Sequence, residues 1–409
     1  MRVVSAIKLS DRCPLLCFLV IVVLLSPTLA GCSDSCEQQV AQDMLVTSVV
    51  GTSSARDGWA VNYPKQRKLF FMQGRIWVFY SDGADAVYRT SRDGKTWSAP
   101  TQVRRGGHFG HRTGYWHDGT HLHYAHNAAS PGEDVVYRRG RPRSVGSIDW
   151  DTPEQTVFDV PGDKTVLYPK VIVDSERRPW VAFMLHDGGN HQAPYDAWVS
   201  RAASSDGTWS TAAGFPLRLV DDNTTGLPDP VGAPAASGRV VWIYNREVPD
   251  RAYIARVWDG KTWRDEEVLT RSDALHGLFN LVAEGDGVHV AYGGGHLRYR
   301  WWSPSGWGGE EEVSDHASGH STLTTLSDGG AAIAWIDRED NCICFRERRR
   351  GAWSAATLLV DESVERLAGP ELSININGAV ASSENFKLAM IYTTGSSPPY
   401  KIKFAGVRW

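Results

Sequence analysis

The chain has 409 residues, 42% hydrophobic and 22% charged, with 40 Gly and 17 Trp, which is a globular composition and not a disordered, collagen-like or coiled-coil one. Its 43 basic and 47 acidic residues leave a net charge of -4, so no basic surplus exists to neutralise a phosphate backbone and a nucleic-acid partner is not expected. The longest apolar run, Leu15 to Leu25, has eleven residues against the roughly 20 that a bilayer-spanning helix needs, which excludes an integral helical span.

Arg2, Lys8 and Arg12 precede that apolar run as a positive leader, the pattern of a secretory signal. Leu29-Ala30-Gly31-Cys32 follows at once and resembles the lipobox of bacterial lipoproteins. The resemblance implies that residues 1–31 are removed, that Cys32 carries the lipid, and that the chain is exported and held on the cell envelope. An ordinary signal peptide is the alternative. Residues 32–64 are then a tether that includes a closing strand, Met44 to Val50, and residues 65–409 form the folded body. Cys13 and Cys17 leave with the signal, and Cys36, Cys342 and Cys344 remain. Cys342 and Cys344 share one strand face. Three thiols cannot all pair, no CxxC metal pattern exists, and they read as incidental, with a Cys342–Cys344 bridge as the alternative.

Further along, Trp97, Trp150, Trp209, Trp263, Trp307 and Trp353 recur at spacings of 53, 59, 54, 44 and 46 residues. Three of them end Asp-Gly turns, at Ser91–Trp97, Ser205–Trp209 and Asp259–Trp263. Asp supplies a local hydrogen bond and Gly a positive φ. Between the turns, stretches such as Val288-His289-Val290-Ala291-Tyr292 alternate with strand periodicity, and no helical period competes. Units of about four strands in roughly 50 residues have the length of propeller blades. Seven fit, near 65–103, 108–160, 165–220, 226–270, 275–313, 319–360 and 364–409. The last lacks a strand, which Met44 to Val50 would complete. The expected fold is an all-β, seven-bladed β-propeller, with six blades and an appendage as the alternative. The Ser91–Trp97 turn resembles the Asp-box, or BNR, repeat of sialidase-like β-propellers.

That resemblance implies an active face built from the starts of the innermost strands and the loops after the second strands. Nine of the 13 histidines fall there (108, 111, 126, 186, 191, 276, 296, 316 and 320), so the face is enriched in groups that titrate near neutral pH. A true sialidase needs an arginine triad with a Tyr–Glu pair. Arg112, Arg246 and Arg338, with Glu247 and Tyr292, are the available set, but Val61-Asn62-Tyr63-Pro64-Lys65-Gln66-Arg67 is not the usual F/Y-R-I-P motif.

A second resemblance lies in Gly107-His108-Phe109-Gly110-His111, Gly119 to Asn127, Tyr168-Pro169-Lys170 and His186-Asp187-Gly188-Gly189, which look like elements of ulvan-lyase-type BNR propellers. It implies His111 or His108, together with His126, as acid–base groups and Tyr168 as a second proton carrier; place on the predicted active face makes His108, Arg112, Lys170, His186, Arg246, His276, His296, His320 and Arg338 the candidate substrate contacts. His186 stands where that group has Arg. The expected activity is binding or lyase-type cleavage of an extracellular, acidic polysaccharide; a sialidase-type hydrolase and a non-catalytic binding propeller are the alternatives. No cofactor is expected, a monomer is expected, and a metal at His121 and His123 or at Asp221-Asp222-Asn223 is the weaker reading. If Cys32 is lipidated, Cys32→Ser should move the chain out of the detergent phase on phase partitioning; unchanged partitioning would overturn the anchor.

Overall fold

Alternating apolar residues and evenly spaced turns fold here into seven antiparallel sheets that follow one another along the chain. The computed structural model describes residues 36–127, 132–187, 194–223, 226–247, 251–271, 278–317, 319, 321–337, 342–362, 376–378 and 385–409. The blades span 69–105, 113–158, 164–223, 231–271, 279–314, 322–360 and 376–408, and the first strands of successive blades lie against one another from blade two to blade seven. The fold is thus the seven-bladed propeller, not the six-bladed alternative.

Blade seven contributes Ile376–Gly378, Phe386–Thr394 and Tyr400–Arg408 from the C-terminus. Its outermost strand is Leu45–Ser53 from the other end of the chain, paired antiparallel from Leu45 opposite Val407 to Ser53 opposite Tyr400. This strand overlaps the stretch expected there. It removes the open edge that a three-stranded last blade would present. Val46 and Val50 pack with Ile76, Val78, Ile391, Ile402 and Phe404, so the seam between blades seven and one is an apolar core.

The Asp-Gly turns fasten blades to one another. In the first, Asp93 Oδ1 accepts from the backbone N–H groups of Lys95 and Thr96 at 2.8 Å each. Those bonds, Thr96 first, hold the Asp93 carboxyl down at about 2. Gly94 has φ +71°, and a Cβ there would sit 2.7 Å from the Phe404 ring. Trp97 Nε1 donates to Ser48 Oγ at 2.9 Å, and Ser48 Oγ donates to Gly94 O at 2.6 Å. The turn of blade one is therefore bolted to the closing strand. Asp206 and Asp259 repeat the turn's backbone hydrogen bonds.

The cysteines are not incidental, and Cys342–Cys344 is not the bridge. Cys36 is bonded to Cys344, 308 residues away, and the buried Cys342 thiol lies 3.9 Å from Cys344 Sγ. The reason is a short segment, Gln38–Gln39, that runs parallel to Thr357–Val360 and carries Cys36 onto blade six. The N-terminal chain thus joins blade six covalently and blade seven by a strand. Deleting residues through Ser53 removes both attachments and should lower unfolding free energy by on the order of 5 kcal/mol, from lost apolar burial and an exposed edge. Cys344→Ser alone should cost roughly 2–5 kcal/mol. Chemical denaturation of the parent, the truncation and the serine variant checks both; a truncation as stable as the parent would show that the ring closes without this strand.

Candidate functional site

Seven twisted sheets arranged radially leave an axial channel, and here the chain itself fills it. Residues 59–68, between the closing strand and blade one, run through the ring with Asn62, Lys65, Gln66 and Lys68 buried. Gln66 Nε2 donates to His111 O at 2.9 Å and Pro169 O at 2.8 Å, and Lys68 Nζ donates to Gln66 O at 2.9 Å and Thr113 O at 3.1 Å. Arg67 donates to Leu281 O at 3.1 Å and lies over the Trp116 ring. Lys65 and Lys170 both pair with Asp229, whose carboxylate is buried. A cavity there, lined in part by Lys65, Arg67, Trp116, Lys170 and Trp242, is about 10 Å³, the size of one water.

Among the described residues, Lys65 and Lys170 face the Asp229 carboxylate, while Arg67 and Lys68 are held on backbone carbonyls. Burial pushes Arg67 down to about 10 and Lys68 well below the usual amine range. Lys170 is pushed down to about 8 by burial, against the pull of Asp229. Burial works to raise Asp229, but Lys170 and Lys65 outweigh it and hold the carboxyl below its ordinary value.

At one end of this channel lies an aromatic cluster. The first strand of blade three, Lys164–Val173, slips register between Leu167 and Lys170, and Tyr168 takes φ +51° in that bulge. Its ring comes 5.1 Å from His111 and 4.8 Å from Tyr63, and the Tyr63 hydroxyl donates to the Tyr168 hydroxyl at 3.2 Å. His111 stacks on Phe109 at 5.2 Å and receives a hydrogen bond at Nδ1 from Asn62 Nδ2 at 3.2 Å. Arg112 lies over Phe109, 5.6 Å from its ring centre; burial lowers it to about 10, with Glu133 and Tyr168 opposing.

His111, Arg112, Tyr168 and Lys170 are therefore brought to one place. His126 closes the second strand of blade two opposite Thr113; its Nδ1 is 2.8 Å from Thr113 Oγ1, and its Nε2 has no hydrogen-bond partner among the described residues. Burial holds His126 well below the ordinary imidazole value, so it is neutral at pH 7. His186 lies 5.7 Å from the Tyr195 ring, with Nδ1 at 3.2 Å from Asp187 O. His108 is exposed at the rim beside Gly83 O. Arg246 pairs with Glu266, and Tyr292 of the sialidase set donates to Glu310 at 2.6 Å, each within its own blade. His296 is exposed, 3.9 Å from Glu312. His276, His320, Arg338 and Cys32 lie outside the described residues. Sequence reasoning missed Trp59, Asn62, Tyr63, Lys65 and Gln66. Their one signal was a segment dense in aromatic, amide and basic residues where a tether would carry Gly and Ser.

Comparison with known proteins gives no matching family model and no matching curated protein. Among solved structures, the chain is similar to an ulvan lyase, a polysaccharide lyase bound to GlcA(1-4)Rha3S, with TM-score 0.54 and 11% identity over 87% of this chain and 94% of that one. An oligogalacturonate lyase from Vibrio parahaemolyticus matches with TM-score 0.51 and 13% identity over 90% of this chain and 98% of that one. A Trypanosoma rangeli sialidase in complex with 2,3-difluorosialic acid matches with TM-score 0.49 and 11% identity over 90% of this chain and 60% of that one. At these identities the shared property is the propeller fold.

At His121 and His123, where the weaker metal reading fell, the imidazoles lie in a network of carboxylate and hydroxyl contacts. His123 Nε2 is 3.3 Å from Asp118 and its Nδ1 2.8 Å from the Tyr137 hydroxyl, while His121 Nε2 is 3.4 Å from Asp151. Among the described residues, the side chains that converge at metal-binding distances are Cys36, Cys342 and Cys344, two of them bonded to each other. Next to the network, burial pushes His117 down to about 4, against the raising pull of Asp118. Between that value and the usual 6.5, the unfolded chain holds a proton on His117 that the folded chain does not, so stability falls as pH drops through this window. His117 alone should cost about 2 kcal/mol between pH 7 and pH 5. Denaturation midpoints at the two pH values measure it, and His117→Gln should flatten the slope by about that amount; an unchanged slope would contradict the assignment.

Proposed function

We propose that this propeller binds an acidic polysaccharide at the His111–Tyr168 face and cleaves it by β-elimination beside a uronate, working outside the cell on a lipid anchor at Cys32. The observation that carries the reading is the convergence of an imidazole and a phenol, rings 5.1 Å apart, with Arg112 beside them over Phe109. Fold similarity to two polysaccharide- or oligosaccharide-cleaving lyases supports a carbohydrate partner.

The uronate carboxylate makes its neighbouring C5–H acidic. A base removes that proton, the electron pair forms the C4–C5 double bond, the C4–O bond breaks, and an acid delivers a proton to the departing oxygen. Tyr168 and His111 are the two proton carriers. Arg112 grips the carboxylate as charge spreads onto it, which a planar guanidinium does with two parallel hydrogen bonds. The channel cations beneath Tyr168 favour the same build-up of negative charge. His108, exposed at the rim, and the half-buried Arg246 are further contacts for the sugar, whereas His126 and His186 are buried beneath the face.

Tyr168→Phe and His111→Ala should each lower turnover of a uronate polysaccharide by roughly 10²–10⁴-fold. The assay is the ultraviolet absorbance of the unsaturated product. A wild-type chain that binds such polysaccharides yet never yields an unsaturated end would replace the lyase reading with a binding propeller.

A further inference from the structure

The segment 59–68 belongs to no blade, yet it touches both proton carriers. Asn62 Nδ2 donates to His111 Nδ1 at 3.2 Å, and the Tyr63 hydroxyl donates to the Tyr168 hydroxyl at 3.2 Å, both contacts buried. The same segment fixes the backbone at these two groups, because Gln66 bonds His111 O and Pro169 O. Its approach is close: Gly110 N donates to Trp59 O at 2.7 Å, and a Cβ on Gly110 would lie 2.6 Å from Ala60 O and 2.8 Å from Asn62 Oδ1. Only a glycine lets His111 come down onto Asn62.

We propose that Asn62 and Tyr63 are positioning residues that set the protonation of the pair, Asn62 by fixing the His111 tautomer and Tyr63 by favouring the Tyr168 phenolate. Their use in catalysis rests on the reading above; their effect on the two rings does not. An imidazole whose Nδ1 accepts a hydrogen bond carries its single proton at Nε2, so neutral His111 is a donor at that nitrogen. A phenolate gains more than a phenol from an incoming O–H, so the Tyr63 hydroxyl stabilises the base form of Tyr168. Among the described residues, the other titratable groups around Tyr168 include Arg112 with Glu133 acting on it, His111, Tyr195 with His186 beside it, and Lys170, whose Nζ donates to Tyr168 O at 3.0 Å. Lys65 lies over the Tyr63 ring, and Asp229 ties Lys65 to Lys170. Tyr63→Phe leaves every one of these charges in place, so it isolates the hydrogen bond.

The test is nuclear magnetic resonance on the folded chain with ¹⁵N-histidine and ¹³C-tyrosine. In the wild type, His111 should show a protonated Nε2 and a bare Nδ1; a proton on Nδ1 at neutral pH would overturn the proposal before any variant is made. Asn62→Ala should mix the two tautomers, and Tyr63→Phe should move the Tyr168 titration to higher pH by roughly one unit. An unmoved tautomer or an unmoved titration in these variants would overturn it. In turnover assays on a uronate polysaccharide, the limb of the pH–rate profile should move with the Tyr168 signal in Tyr63→Phe. Turnover with unmoved resonances sinks the positioning role alone, whereas the expected resonances in a chain without turnover leave it standing and sink the lyase reading.

Discussion

The Asp229 carboxylate, buried and shared between Lys65 and Lys170, is the junction on which the rest of the site depends. Lys170 comes from the inner strand of blade three, Asp229 lies just before the first strand of blade four, and Lys65 comes from a segment outside every blade. One anion therefore pins three separate pieces of chain at the axis. Removing one partner from a buried ion pair is strongly destabilising, typically about 3–5 kcal/mol, because it leaves a charge stranded without water. Here the stranded groups would be the amines of Lys65 and Lys170, which already repel each other, with Lys68 close to Lys170. With Lys65 held, residues 62 and 63 reach His111 and Tyr168, and Lys170 holds the Tyr168 carbonyl. Fold and candidate chemistry share the same few bonds.

Closure of the ring follows a parallel logic. Each blade buries its faces against its neighbours, so an incomplete last blade would leave a seam at which the whole ring is open. The closing strand Leu45–Ser53 meets this need by hydrogen bonds to Tyr400–Arg408 and by the contact of Ser48 with Trp97 and Gly94 in blade one. A single strand thus spans the junction, with its backbone in blade seven and the side chains of Val46, Ser48 and Val50 against blade one.

Much of the fold was legible because it is periodic. Trp97, Trp209 and Trp263 each end the same turn, and strand alternation between them placed the limits of blades one to six within a few residues of those observed. His111, Arg112, Tyr168 and Lys170 were legible because inner-strand starts converge on an axis once the blade register is right. Asn62 and Tyr63 were not. Their place depends on a non-repeating segment threading the channel, and no periodicity encodes that path. The Cys36–Cys344 bond was hidden for a similar reason, since it joins a two-residue parallel segment to a blade 308 residues away. The burial of His126 was also invisible, because an alternating strand pattern gives its face and not how deeply the neighbouring blade covers it.

The order of attachments near the N-terminus has a mechanical consequence. Reading inward, the chain meets the Cys36–Cys344 bond first, the closing strand second, and the segment that touches His111 and Tyr168 last. A pull on the chain upstream of Cys36 is transmitted through that covalent link into the middle of a three-stranded portion of blade six. The hydrogen bonds of Leu45–Ser53 and the contacts of Asn62 and Tyr63 lie downstream of the link and bear none of the load. Strain relief is thus built in ahead of the parts whose geometry matters at the ångström scale.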